Sequence, residues 1–224
     1  MRIDVFTLFP EWFDWMRKPR HLTQAGLSAG LEIRCFSLRD NSPLSNRQVD
    51  DAPYGGGAGM VIRVDVVAAA LEAVYGEPAE TVRDSRRVAV MTPRGRQFSD
   101  PVSRELAELD ELVLLCGRYE GFDERVHEHL ANDALCLGPF VLAGGEVAAM
   151  AMIDAVGRRI PGALGNPESV ERESFGEALG GGVEHPHYTR PAEFCGWGVP
   201  EVLLSGHHAA IEEWRQGQVR PYRP

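Results

Sequence analysis

Lysine is almost missing from this 224-residue chain: Lys18 is the only one, so nearly all of the 23 basic residues are arginine. Against 33 acidic residues they leave a formal net charge of −10. That balance argues against a general affinity for nucleic acid. It leaves room for a local basic surface, because arginines gather at Arg83, Arg86, Arg87, Arg94 and Arg96, at Arg158 and Arg159, and at Arg215, Arg220 and Arg223. Routine surface cations would read the same way. No apolar run approaches the roughly 20 residues of a membrane span, so no membrane partner is expected. The N-terminus, MRIDVFTLFP, lacks the apolar core and cleavage site of a secretory signal. Cysteine is sparse and scattered: Cys35, Cys116, Cys136 and Cys195 form no CxxC pair. Cys116 and Cys136 fall in apolar runs and are expected to be buried thiols. This usage speaks against a disulfide framework and for a reducing, cytoplasmic setting. No internal repeat is visible.

What the chain does have is an ordinary apolar fraction, 44 %, enough for one large domain or a medium domain plus a small one. Ile3–Leu8, Leu31–Phe36, Arg87–Met91, Leu112–Cys116 and Ala134–Leu137 read as strands. Glu11–Met16, Asp65–Tyr75, Pro101–Leu109, Asp123–Leu130 and Glu146–Arg159 read as helices. This alternation predicts an α/β fold with a parallel sheet flanked by helices. Asn41–Gly59 reads as a long polar, glycine-rich loop. From Gly162 to Gly182 the pattern collapses into a Gly-, Ser- and Glu-rich stretch, expected to be an interdomain linker. Ser205 is expected to cap a last helix that runs to about Gln216.

Leu112–Val156 is the most informative segment. Two apolar strands each stop at a glycine, Gly117 and Gly138, and a glycine pair, Gly144–Gly145, precedes the most apolar helix. Glycine at a strand exit lets a ligand approach the backbone, because no Cβ intervenes. Two such exits predict a cleft at strand ends, where α/β proteins bind small molecules. Gly117-Arg118-Tyr119-Glu120-Gly121 carries more chemistry than a plain turn needs and could recognise a ribose or an adenine edge. YGGGAGM, Tyr54–Met60, has no following Lys-Ser/Thr and no strand running into it, so it is neither a Walker A loop nor a dinucleotide fingerprint. It is either a surface loop or one that closes over a substrate. His185 and His187 have an HxH spacing without a suitable third ligand nearby, so no metal site is predicted. Glu168, Glu171, Glu173 and Glu177 make the linker acidic, and chemistry alone does not single out a general base among them.

Taken together, TLFPEWF, VDDAPYGGGAGM, LLCGRYEGFDERV, GPFVLAGGE, IPGALGNPES, HPHYTRP and VPEVLLSGHHAAIEEWR resemble the bacterial tRNA (guanine-N1)-methyltransferase family, TrmD, of the SPOUT class. The resemblance runs from Met1 to about Arg215. It implies a C-terminal deep trefoil knot in the α/β domain, over 1–161, with S-adenosylmethionine bent inside it. A linker, 162–182, and a small helical C-terminal domain, 183–224, shorter than is usual in the family, would follow. Met91, Thr92 and Pro93 would line one wall of the cofactor pocket. Gly117, Tyr119, Glu120 and Gly121 would form the second. Leu137, Gly138, Pro139, Phe140, Val141 and Leu142, with Gly144 and Gly145, would form the third. The resemblance also implies a homodimer that acts on the tRNA anticodon stem-loop, at N1 of the guanosine immediately 3′ of the anticodon. It places a general base at Glu173 and a guanine-binding arginine at Arg158, and adds Mg2+ as a further requirement without assignable ligands.

Three departures qualify these expectations. Glu173 stands where aspartate is usual, with the same carboxylate on a longer stem. Pro139-Phe140 replaces the usual Asp-Tyr, which removes a backbone N–H, a carboxylate and a hydroxyl from the cofactor loop. The sequence stops at Pro224, which predicts a weaker grip on tRNA. Two alternatives stay open: a SPOUT paralogue that methylates another RNA position, and a nucleotide- or RNA-binding module without turnover.

Overall fold

A computed structural model describes residues 1–164 and 173–222. Glu168, Glu171 and Arg223 therefore lie outside the described residues. The chain divides into two compact units, Met1–Gly165 and Asn166–Pro224. Among the described residues, no helix is long and apolar enough to cross a membrane.

In the first unit, β1 (Arg2–Thr7) leads through a 3-10 helix (Pro10–Arg17) and α1 (Arg20–Ala29) to β2 (Glu32–Ser37). Two-residue strands β3 (Asp50–Asp51) and β4 (Val61–Ile62) pair antiparallel and frame the glycine-rich loop. Next come α2 (Val64–Tyr75), α3 (Val82–Ser85), β5 (Arg87–Gln97), α4 (Asp100–Ala107), β6 (Glu111–Cys116), β7 (Asp133–Cys136) and α5 (Glu146–Arg159). The five long strands form one sheet in the order β2-β1-β6-β5-β7, with all pairings parallel.

Strand periodicity sorts the apolar side chains into two cores, one on each face. Leu112, Leu114 and Cys116 of β6 join Leu106 of α4 and Ala149, Met152, Ile153 and Val156 of α5. The alternate residues Val113 and Leu115 join Val66, Val67, Ala70 and Leu71 of α2. Both faces of β6 are thus buried, which is why its sequence is a continuous apolar run.

Several elements differ from the sequence expectation. β5 does not end at Met91 but continues to Gln97, pairing with β7 in two registers: Met91 and Arg96 both oppose Leu135. A Cβ at Gly95 would overlap the backbone of Ala134 and Leu135, so the strand can cross there only as glycine. Charge holds the extension down: Arg96 and Arg87 both reach Asp133, at 2.7 and 3.1 Å, and both reach Glu105. The helix α1 was not expected, since Thr23, Gly26 and Ser28 are poor helix formers. Packing makes it helical: Leu22 and Ala25 are buried, and Leu22 fills the space that a Cβ on Gly157 of α5 would need. The expected helix Asp123–Leu130 includes a π-helical turn over Val126–Leu130. Cys116 is fully buried, but Cys136 is only half-buried, because it sits at the cavity described below.

The second unit is built differently. Phe175 meets Tyr222 edge to face at 5.0 Å, and Val183 bridges Arg220. A short hairpin pairs Glu193–Phe194 with Trp197–Gly198, and its two loop residues, Cys195 and Gly196, both have positive φ, as a tight hairpin turn requires. Two helices follow, Glu201–Leu204 and His208–Gln218. The last is not capped by Ser205, whose hydroxyl instead donates to the Val202 carbonyl. His207 is the cap, with its Nδ1 accepting from Ala210 N at 3.2 Å.

Candidate functional site

A cavity of about 250 Å3 opens at the C-terminal ends of β6 and β7 and the middle of β5, close to the expected place in a parallel sheet. Its first wall is Val90–Arg94, where β5 begins its second register. Its second is Gly117–Phe122, directly after β6. Its third runs from Leu135 through the loop after β7 to Gly145, with Ala148 of α5 behind.

Local forces explain each wall. The second is a tight turn in which Gly121 N donates to the Arg118 carbonyl at 2.9 Å. Tyr119 sits in the left-handed region, φ 59°, an uncommon place for a bulky side chain. The turn is held from outside: Glu120 N donates to Met60 O and Ile62 N to Gly121 O. The Glu120 carboxyl lies where a Cβ on Gly59 would fall. This gives the glycine-rich segment a purpose, since its last glycine lets the chain pass a cavity-lining carboxylate. The third wall is fixed by Gly145, whose N–H donates to Gly117 O at 2.9 Å. A Cβ there would stand 2.8 Å from Met91 Cβ and 2.9 Å from Cys116 Cα, so only glycine seats α5 on the strand ends.

The structure brings together Met91, Thr92, Pro93, Gly117, Tyr119, Glu120, Gly121, Leu137, Gly138, Phe140, Val141, Leu142, Gly144 and Gly145 around this one cavity. Pro139 is the exception and does not line it. A tight turn in which Phe140 N donates to Gly138 O carries Pro139 past the cavity and brings the Phe140 ring against Gly138. Phe140 and Val141 are exposed at its mouth. Arg158 stands half-buried in the last turn of α5 and is not among the lining residues. Glu173 belongs to the second unit, where its carbonyl accepts from Gly176 N.

Arg118, singled out with Tyr119 and Glu120 from the sequence, also lines the cavity, and so do residues that sequence reasoning passed over, among them Arg94, Phe122, His127 and Ala143. Arg94 makes a 2.5 Å ion pair with Glu124, which holds that carboxyl below its ordinary range. Burial pushes the His127 imidazole down, opposed by Glu124 and helped by Arg94, so the ring is biased to its neutral form. Burial, and then the Glu146 carboxylate, push the Cys116 thiol well up, which makes it an inert core residue. Phe122 lay inside the motif LLCGRYEGFDERV. His127 had no sequence signal beyond its place on an expected helix.

In the second unit a recess of about 430 Å3 is lined by the HPHYTR segment, Trp214 and Arg215. There His187 Nε2 lies 2.9 Å from Glu184. Among the described residues, no group of three or more His, Cys, Asp or Glu is placed to hold a metal ion, so the expected Mg2+ has no ligand set here.

Comparison with known proteins agrees with this geometry. The model of the family described as tRNA (Guanine-1)-methyltransferase TrmD matches residues 1–221. A tRNA (guanine-N(1)-)-methyltransferase of Geobacter metallireducens is 48 % identical over 216 residues, covering 96 % of this chain and 85 % of the relative. A protein of the same name from Brevibacillus brevis is 47 % identical over 215 residues, covering 96 % and 85 %. One from Dehalococcoides mccartyi strain CBDB1 is 46 % identical over 216 residues, covering 96 % and 84 %. With a match along nearly its whole length and a cavity assembled from the motifs that carry it, the chain belongs to the tRNA (guanine-1)-methyltransferase TrmD family.

Proposed function

We propose that the protein transfers a methyl group from S-adenosylmethionine to N1 of the guanosine immediately 3′ of the anticodon in tRNA. The observation that carries this reading is the strand-end cavity, walled by three loops in a chain of this family. Its fit to the cofactor rests on two features. Gly117, Gly138, Gly144 and Gly145 line the cavity, and a Cβ at any of them would press on neighbouring side chains or backbone, so the walls reach this close packing through glycine. Its volume of about 250 Å3 is on the scale of a site for one small ligand.

The cofactor supplies an electrophilic methyl group on a sulfonium. The first and second walls, with Thr92 and Glu120, would hold its polar end, and the third wall, Leu137, Gly138 and Phe140 to Leu142, would hold its base. N1 of guanine carries a proton at neutral pH, so its lone pair is not free. The Glu173 carboxylate takes that proton as N1 attacks. The Arg158 guanidinium answers the negative charge that spreads onto O6.

Three further parts belong to this proposal. The first unit is knotted: β5 pairs β7 twice, and the following segment returns across the β6 exit, where Gly144 bridges Arg118. The protein works as a cytoplasmic homodimer, with exposed apolar Phe140, Val141 and Val147 on the elements beside the cavity as interface candidates. The region 162–182 is the linker to a helical C-terminal domain, 183–224, that grips tRNA. The test is mass spectrometry of anticodon-loop nucleosides after incubation of the full chain with tRNA and S-adenosylmethionine. N1-methylguanosine at the position after the anticodon is expected. A methyl group at another nucleotide, or none, would overturn the assignment.

A further inference from the structure

The segment Thr7–Trp12, TLFPEW, contributes nothing to the cavity lining. Three of its side chains nevertheless converge on one pair of charges, Arg118 and Glu146. Glu146 opens α5 directly after the glycine pair and has no exposed surface. Its Oε1 accepts a 2.8 Å hydrogen bond from the hydroxyl of Thr7, which is also fully buried. Its Oε2 stands 2.9 Å from Nε of Arg118, and the two side chains are 1 % and 16 % exposed. The approach is not in line, so among the described residues neither atom has a hydrogen-bond partner. The guanidinium lies 4.6 Å from the Phe9 ring centre and 4.7 Å from that of Trp12, and those two rings stack on each other at 5.0 Å. Its Nη1 reaches the Ala143 carbonyl at 3.4 Å.

A carboxylate removed from water persists only where charge and donors answer it. Buried ion pairs add little net stability, so stability alone is a weak reason for this one. Its placement is a stronger reason. Arg118 belongs to the second cavity wall, while Ala143, Gly144 and Glu146 form the end of the third wall and the start of α5. The pair joins the two walls, and Thr7, Phe9 and Trp12 brace it from β1 and the 3-10 helix. Because Glu146 neutralises the guanidinium, Arg118 is poorly suited to bind an anionic ligand group directly.

We propose that Arg118 and Glu146 are positioning residues: braced by Thr7, Phe9 and Trp12, they fix the spacing of the second and third walls and so set cofactor affinity. The inference rests on the reading of this cavity as the cofactor site. It gives the N-terminal aromatic motif a task that neither the chemistry nor the lining assigns.

The test uses the full-length chain and calorimetric binding of S-adenosylhomocysteine, well below each variant's unfolding temperature. Glu146→Gln and Arg118→Gln are each expected to weaken binding by about tenfold or more, the cost of a misplaced wall. The double variant is expected to bind no more weakly than the worse single one, since each change breaks the same brace. Arg118→Lys is expected not to restore binding, because an ammonium lacks the planar face that stacks on two rings. Tyr75→Phe, which breaks a partly buried hydrogen bond to Asp4 between two residues outside the cavity lining, is expected to lower the unfolding temperature and leave the affinity unchanged. Should Glu146→Gln not fold, Thr7→Val removes one donor at constant shape and is expected to weaken binding by roughly threefold to tenfold. Variants that bind within twofold of the parent, or losses that simply add, overturn the inference while the cofactor reading stands. A parent chain that does not bind the probe overturns both.

Discussion

The two units of this chain solve different problems. The first buries apolar side chains on both faces of a five-stranded sheet and seats its cavity on those strands. In the second, Gly176 and Gly182 are the only described residues that are buried, and Phe194 and Trp197 stand 61 % and 73 % exposed. A site on the first unit is therefore shaped before any ligand arrives. Side chains on the second are free to adapt, at the entropic cost of ordering them on contact. The contrast suits a division of labour in which a rigid unit holds a small cofactor and a looser one meets a large, irregular RNA.

The contrast can be broken most forcefully at Glu173. If the second unit supplies the base and the first holds the cofactor, Glu173→Gln is expected to slow methyl transfer by about 10²–10⁴-fold with unchanged cofactor binding. Single-turnover rates and calorimetry on one preparation read both, and full activity would remove Glu173 from the chemistry. Next in size, Leu114→Ala empties a fully buried site in the first core and is expected to cost about 2–5 kcal/mol in denaturant unfolding. Gly145→Ala forces a methyl group against Met91 and Cys116, and about 1–3 kcal/mol of overpacking should come with a marked loss of cofactor affinity. By contrast, Trp197→Ala in the second unit is expected to stay within about 0.5 kcal/mol of the parent in the same unfolding assay. A large loss there would show that the second unit has a core after all.

The smallest effect concerns acid. Burial alone would raise the Asp133 carboxyl, but hydrogen bonds from Arg96 and Arg87 outweigh it and hold the group below its ordinary value. A depressed carboxylate contributes stability above its unfolded value, and the contribution fades as pH falls through the folded one. Asp133→Asn should therefore flatten the acid limb of the stability profile below about pH 4, with little change at neutral pH in slope. A limb unchanged by the substitution would place the acid sensitivity elsewhere.

How far the sequence carries depends on whether a signal is local. The helix Glu146–Arg159 is bounded in the structure as its apolar pattern and following proline predict, and the strand cores match their apolar runs. The glycines at strand exits pointed to the cavity because they answer a local steric demand. Arg20–Ala29 escaped notice because its helicity depends on α5, a partner more than 100 residues away. The second half of β5 reads as a turn, TPRG, and becomes strand only against β7 and Asp133. Glu146 was the least legible. A glutamate in the first turn of a helix is ordinary as a solvated charge, and nothing near it in sequence says that Thr7 and Arg118 will close over it.

The order β2-β1-β6-β5-β7 also has a consequence in time. β1 is made well before β6, yet one of its two edges waits for that strand, which ends at Cys116. At ordinary rates of translation that wait lasts about 5–20 s. During it β1 can take only β2 of its two sheet partners, and its apolar Ile3 and Val5 have no finished core to enter. An unpaired edge and uncovered apolar side chains are what make a partly made chain prone to aggregate, so the interval between β2 and β6 is the one this strand order leaves exposed.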